Sequence, residues 1–448
     1  MQQPQGENDN RTDARRRRGT SPALASASGG ARNEPGATFY GWWIVFFAAI
    51  GLFMGYGPVV SFTFGVFFKP LSQEFGWTRA QVSLAFSLSL LVMSLLLPVV
   101  GRLVDRFGAR KVIVPSVLLF GLGLMSFALL SPHLWHLYAI YLGLGVVGGG
   151  TAPIPYSNVL SHWFDKRRGL ALGLSMVGLG LGTFIMPALA QQLIEIGGWR
   201  WAYVWFGLTV IIIAIPVVAL FLKERPQMLG LTPDGEPETR IHTADQEGLS
   251  FQEARRTGTF WILVGAFFLM SASVHGCLIH LVPLLTDRGV TPQAAALATS
   301  LLGGALLLGR VGAGYVLDHF FASTVALIFF SGAACGFIFL WTGATGVLAF
   351  VAAFLIGLGM GAEGDIIAYL VSRYFGLRAF GEIYGYAFSS FTLGGVIGPL
   401  LMGIGFDATG SYRFMLGVFV FASLLAAALM TRLGPYRLWQ ATPVAAAS

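Results

Sequence analysis

Charged side chains along this chain fall in short clusters. Between the clusters run stretches of roughly 20 residues or more in which leucine, valine, isoleucine, phenylalanine, alanine and glycine follow one another with few interruptions. A run of that length crosses a hydrocarbon core of roughly 30 Å as an α-helix rising about 1.5 Å per residue. A membrane-spanning strand would need only about ten residues, alternating in polarity, and no such alternation is present. The punctuation predicts twelve transmembrane helices, over 40–68, 79–101, 112–131, 135–160, 169–193 and 200–222, then 259–285, 293–317, 322–342, 346–374, 382–405 and 412–432.

Composition agrees with that pattern. Of 448 residues, 55% are hydrophobic and 11% charged, with a mean hydropathy of +0.71; an ordinary soluble domain is about one quarter charged. Many of the 59 glycines sit in pairs or small-xxx-small spacings within apolar runs, which suits close helix contact in lipid. The predicted spans place 22 of the 28 Lys and Arg on one side and five (Lys69, Arg79, Arg200, Arg288, Arg413) on the other. By the positive-inside rule both termini are predicted to be cytoplasmic and the protein to lie in the inner cell membrane. The basic balance therefore reports topology and not nucleic-acid binding. Residues 1–38, with Arg15 to Arg18, read as a disordered cytoplasmic tail, its arginines a topology determinant or a contact for anionic lipid. Cys277 and Cys335 lie in different spans and are expected to be unbridged.

The chain resembles itself at a period near 211 residues. Gly101-Arg-Leu-Val-Asp105 recurs as Gly314-Tyr-Val-Leu-Asp318, and Ser161-His-Trp-Phe164 as Ser372-Arg-Tyr-Phe375, with Gly150 and Gly361 at the same distance before each serine. An all-α integral membrane fold of two pseudo-symmetric six-helix bundles follows, residues 39–222 and 259–434, joined by a cytoplasmic linker at 223–258 and ending in a tail at 435–448. Ser250-Phe-Gln-Glu253 has capping-box spacing and predicts a short helix at the linker's end. Asp105 and Asp318 close the second and eighth spans, where a carboxylate can face the positive N-terminus of a neighbouring helix and hold one conformation.

One cation lies within a span. Arg310 costs roughly 2.5–3.5 kcal/mol on insertion scales, so it is expected to pair, to face water or to bind something. Glu363 and Asp365 are the acids well inside a span, and helical rise puts them at about the depth of Arg310, making an ion pair feasible. Two residues apart, they point about 200° from each other. Asp365 shares a face with Gly357, Gly361 and Ala368, and Glu363 shares one with Ile366 and Leu370; one is expected to couple protons, the other to tie helices. Tyr56, Tyr156, Asn158 and His280 are candidates for polar contact with a substrate, while His275 and His280 lack a third ligand for a metal. No catalytic pairing points to an enzyme, no cofactor is implied beyond an ion gradient, and no obligate protein partner is predicted.

Gly101-Arg-Leu-Val-Asp-Arg-Phe-Gly-Ala-Arg-Lys111 resembles the loop 2/3 motif of the major facilitator superfamily, with Gly314 to Asp318 as a weaker second copy. Trp163-Phe-Asp-Lys-Arg-Arg-Gly-Leu-Ala-Leu-Gly173, followed by Gly178, Gly180 and Gly182, resembles the helix 5 signature of monocarboxylate transporters, cousins of the oxalate/formate antiporters; Tyr40-Gly-Trp-Trp43 partly matches the helix 1 signature. The resemblance covers about residues 39 to 434. It implies the major facilitator fold, a gating role for Gly101, Asp105, Arg106, Arg110, Lys111, Gly314 and Asp318, and a helix 8 arginine that contacts a substrate carboxylate, the place Arg310 occupies. Arg106, Arg110 and Lys111 are expected to pair nearby or to hold membrane lipid.

The chain departs from that pattern at Leu306, where animal members carry an aspartate, around Phe62, where they carry a lysine, and in residues 383–405, which lack the second cation of the oxalate/formate exchangers. A single fixed cation, bidentate toward one carboxylate, predicts a small monocarboxylate moved by proton symport or anion exchange. Gly394-Gly-Val-Ile-Gly-Pro399 resembles an antiporter motif and keeps a drug or neutral-solute exporter as the alternative.

Overall fold

The computed structural model describes residues 39–235 and 248–436; the expected N-terminal tail, the middle of the linker and the last residues of the chain lie outside the described residues. Eleven long apolar helical runs stand among them. The longest, Arg168–Phe221, carries Gly198 at φ 80° and ψ 168°, a conformation that glycine tolerates and that turns the helix axis. Divided there, the runs give twelve crossings, as the charge punctuation predicts: α1 Gly41–Phe68, α2 Arg79–Phe107, α3 Ala109–Leu129, α4 Leu134–Trp163, α5 at 168–197, α6 at 199–221, α7 Gly258–Thr286, α8 Pro292–His319, α9 Ala322–Trp341, α10 Gly346–Phe375, α11 Phe380–Thr409 and α12 Arg413–Thr431. The spans alternate in direction, so the start of α1 and the finish of α12 share one side, called here the terminal end.

Helix contacts repeat with a shift of six. In the first half α1 packs on α5, α2 on α4 and α3 on α6; in the second, α7 packs on α11, α8 on α10 and α9 on α12. The two interfaces between halves obey the same shift, α5 against α8 and α11 against α2. Small residues set the approach. A Cβ on Gly357 or Gly361 of α10 would run into the Leu302 or Leu306 carbonyl of α8, and one on Gly178 of α5 into the Ala49 backbone of α1. Without an apolar drive between helices in lipid, such backbone contact supplies the dispersion and weak polar attraction that hold the bundle.

Two helices are broken where they face each other. In α1, Pro58 lacks an N–H and the backbone loosens into a π-turn over Gly57–Ser61. In α4, a 3-10 turn at Gly149–Thr151 leads to Ala152 in extended conformation, and Pro153 restarts the helix. Thr151 Oγ1, at the break in α4, accepts from the Tyr56 backbone N–H beside the break in α1 at 3.1 Å, tying the two irregular segments together.

The linker rejoins the bundle in order. Leu249 N–H donates to Phe375 O at 2.8 Å, Gly248 bridges Gly376, and Ser250 and Glu253 form the capping box ahead of Phe251–Ala254.

Candidate substrate cavity and its latches

A cavity of about 670 Å³ lies between the halves. Its wall comes from α1, α2, α4 and α5 of the first half and α7, α8, α10 and α11 of the second, and is made largely of Leu, Met, Phe and Gly residues. Along α8 it follows one face from Arg310 through Leu306, Leu307, Gly303 and Thr299, about 16 Å of helix. Among the described residues Arg310 is the only Lys or Arg in the wall, and it stands at the end of that face nearest the terminal side of the protein.

Arg310 is placed by backbone packing on both sides. Gly361 of α10 nests against the Leu306–Arg310 backbone, and Gly173 of α5 faces the Arg310 carbonyl. The residue therefore sits at the contact between halves, half-buried, and among the described residues its Nε atom has no hydrogen-bond partner. Asp365 and Glu363 are fully buried, and none of their four carboxylate oxygens has a partner. Asp365 and Glu363 of α10 and Tyr384 of α11 are titratable groups near enough to interact with the Arg310 charge. The feasible ion pair is not made: neither carboxylate comes within 4.0 Å of the guanidinium among the described residues. Tyr384 Oη of α11 and the Ser157 hydroxyl of α4 are buried facing each other, and the Ser161 hydroxyl is buried without a partner among the described residues. Buried polar groups with spare bonding capacity thus lie between Arg310 and the terminal end of the halves.

The other sequence candidates separate. Tyr56 lines the cavity, buried, its hydroxyl 2.7 Å from Ser89 Oγ. Tyr156 lies outside the lining, packed on Gly51 of α1 with its hydroxyl unbonded. Asn158 is displaced toward the terminal end, because α4 restarts at Pro153 and runs only to Trp163; its Nδ2 donates to Asp105 Oδ1 at 3.3 Å, far from the cavity wall. His280 is held between Tyr412 Oη at 3.3 Å and the Pro399 carbonyl at 3.2 Å, a tie among α7, α11 and α12. His275, one and a half turns earlier, faces the cavity instead. Its Nδ1 lies 3.0 Å from Ser271 O, which requires the proton on Nδ1 and turns Nε2 toward the cavity as an acceptor.

At the terminal end the halves are fastened twice. Asp105 accepts from the Gly381 and Glu382 backbone N–H groups, both at 2.8 Å, at the N-terminus of α11. Asp318 accepts from Gly169 and Leu170 N–H at 2.7 and 2.9 Å, at the N-terminus of α5. Each carboxylate meets unsatisfied donors and the positive end of a helix dipole. Gly101 packs on the Gly381 backbone and Gly314 on Gly169, which lets the chains come close enough. Arg106 lies over Phe107 at 5.2 Å, Arg110 donates its backbone N–H to Glu224 Oε1 at 3.0 Å, and Lys111 is exposed.

Further ion pairs join the same end. Arg102 reaches Glu382 at 2.6 Å, Arg373 reaches Asp165 at 2.8 Å, and Arg168 donates to Ser372 at 3.0 Å. Sequence inspection passed over Glu382, Asp165 and Arg373 as site residues, although Asp165 and Arg373 stand inside or beside the repeated motifs. A second, polar space of about 250 Å³, lined by Asp105, Asn158, His162 and Arg378 among others, lies beside the Asp105 fastening. Among the described residues no group of three His, Cys, Asp or Glu could hold a metal, and Cys277 and Cys335 are unbridged.

Comparison with known proteins agrees with this geometry. A family profile described as Major Facilitator Superfamily matches residues 41–399. Monocarboxylate transporter 13 of Bos taurus is 29% identical over 398 residues, covering 85% of this chain and 86% of its own. Monocarboxylate transporter 11 of Homo sapiens is 28% identical over 392 residues, covering 83% and 79%. The crystal structure of the E. coli fucose:proton symporter FucP superposes with a TM-score of 0.63 at 14% identity, over 88% of this chain and 98% of that one, a likeness of fold. With twelve helices in two repeated bundles, fastened through the matched loop motifs, the chain belongs to the Major Facilitator Superfamily of membrane transporters.

Proposed function

We propose that the protein carries a monocarboxylate across the inner cell membrane by alternating access, with Arg310 binding the substrate carboxylate. One observation carries this: a guanidinium at the floor of an apolar cavity between the halves, its Nε unbonded and no carboxylate within ion-pair reach. A buried cation in that position is costly unless an anion arrives, and a carboxylate matches its fork with two parallel hydrogen bonds. The similarity to monocarboxylate transporters 11 and 13 supports the same substrate group.

The terminal end is the cytoplasmic end in this proposal, supported by the 22 to five distribution of Lys and Arg. The Asp105 and Asp318 fastenings then close the cytoplasmic side while the cavity extends toward the outside. Asp365 and Glu363 are the groups through which a proton would be coupled, since each is buried without a partner and within the field of Arg310. Anion exchange would use Arg310 alone.

Uptake of labelled monocarboxylates into proteoliposomes tests the proposal, with and without an inward proton gradient. Arg310→Lys keeps the charge and loses the fork; a ten- to hundredfold fall in uptake efficiency is expected, about 1.4–2.8 kcal/mol. Unchanged transport by that variant would remove the bidentate contact. The apolar wall favours one second reading, export of a neutral solute, which would show as transport of neutral compounds with indifference to Arg310→Gln.

A further inference from the structure

The cavity is much larger than a small acid needs. At about 670 Å³ it has the volume of some twenty waters at about 30 Å³ each, and falls in the range of about 300–1,000 Å³ typical of sites for drug-sized molecules. A three-carbon acid held by Arg310 would fill a small part of it. The remainder, rising about 16 Å along α8, is walled mostly by apolar side chains, Leu306, Leu307, Met176, Leu278, Met360 and Phe391, among which Tyr56, His275 and Thr299 are neutral polar groups.

Glycine keeps that upper space wide. Gly303 and Gly304 of α8 line it, with Gly364 of α10 at its foot, and a Cβ on any of them would meet nothing within 4 Å. Elsewhere in these two helices the packing glycines, such as Gly309 and Gly361, have a backbone carbonyl against them. The lining glycines therefore serve no helix contact; they leave volume.

We propose that the substrate is an amphipathic monocarboxylate, a medium-chain or aryl-substituted acid whose carboxylate meets Arg310 and whose apolar body fills the space above it. This deepens the proposed function and rests on the Arg310 contact. Charge placed only at the floor disfavours a second anionic group on the distal part of the substrate, because the wall there has no cation to receive it.

The experiment measures binding to the full-length protein in nanodiscs, by competition among acetate, butyrate, hexanoate, octanoate and 4-phenylbutyrate, with octanamide as the neutral counterpart. Burial of each methylene predicts affinity rising about fourfold per CH₂ through the series, with octanamide at least tenfold weaker than octanoate. A flat series with acetate as good as octanoate overturns the amphipathic substrate and leaves the carboxylate contact standing. Octanamide binding as well as octanoate overturns the Arg310 contact itself. Gly303→Leu, which favours the helix and adds bulk into open space, is expected to weaken octanoate more than tenfold while leaving butyrate within twofold. An equal effect on both acids, or none, contradicts the assignment of that space to the substrate's apolar body.

Discussion

Arg310, Glu363 and Asp365 stand at one depth on neighbouring helices, and none is bonded to another. Helical rise was enough to infer the shared depth, but rotation decides contact. Arg310 turns toward the cavity, Glu363 and Asp365 are completely covered, and the pair that sequence spacing makes feasible is left open. A buried carboxylate without donors is costly, and its amide analogue less so. Asp365→Asn is accordingly expected to stabilise the resting protein by about 1–3 kcal/mol, seen as a higher melting temperature in detergent. The same variant should lose the acceleration of uptake by a proton gradient while keeping counterflow exchange. Retained gradient dependence in both Asp365→Asn and Glu363→Gln would exclude these acids from coupling.

At the scale of elements, the motif copies act by pulling helix ends together. Asp105 at the end of α2 receives the first N–H groups of α11, and Asp318 at the end of α8 receives those of α5. Charge-assisted bonds of this kind contribute about 1.5–3 kcal/mol. Asp105→Asn keeps the size of the side chain and loses the charge, so it should shift the balance away from the fastened state by about tenfold or more. A cysteine at Thr299, on the cavity wall of α8, reports that shift; its labelling by a membrane-impermeant maleimide from the non-terminal side is expected to slow in Asp105→Asn. Asp318→Asn should act alike, because the two fastenings are equivalent under the six-helix shift. The linker has a pH-sensitive element of its own. Hydrogen bonds from the Ser250 hydroxyl and backbone N–H hold the Glu253 carboxyl below its usual range. Its stabilising effect is complete above the unfolded carboxyl value of about 4.3 and is lost as pH falls through the lower folded value. Amide exchange at residues 250–254 should therefore accelerate on acidification in the wild type, and Glu253→Gln should show no such dependence.

For the molecule as a whole, the sequence makes legible whatever depends on hydrophobicity and spacing. Charge clusters mark most of the helix ends, but the α3/α4 and α9/α10 turns carry no Asp, Glu, Lys or Arg, and between α5 and α6 the turn is made by Gly198 within a continuous helical run. The repeated Gly-x-x-x-Asp spacing locates both fastenings. Features set by local backbone geometry are not legible in this way. The 3-10 break at Gly149–Thr151 and the restart at Pro153 carry Asn158 out of reach of the cavity and beside Asp105. Two histidines on α7 look alike in sequence; five residues of rotation send His275 to the cavity and His280 into a packing contact. Partners across the halves, Asp165 with Arg373 and Arg102 with Glu382, are more than 200 residues apart and have no local signature.

Both fastenings share a property that bears on how the two halves can differ. Asp105 and Asp318 are received by main-chain N–H groups, at Gly381 and Glu382 in one case and at Gly169 and Leu170 in the other. Main-chain donors are supplied by every residue except proline, so the receiving helix is under no demand for a particular side chain beyond room for close approach. A lock that reads the peptide bond in place of the side chain gives each half freedom to change its sequence while remaining compatible with the other. The two receiving sites have used that freedom: glycine then glutamate at 381–382, glycine then leucine at 169–170, with the carboxylate received alike in both.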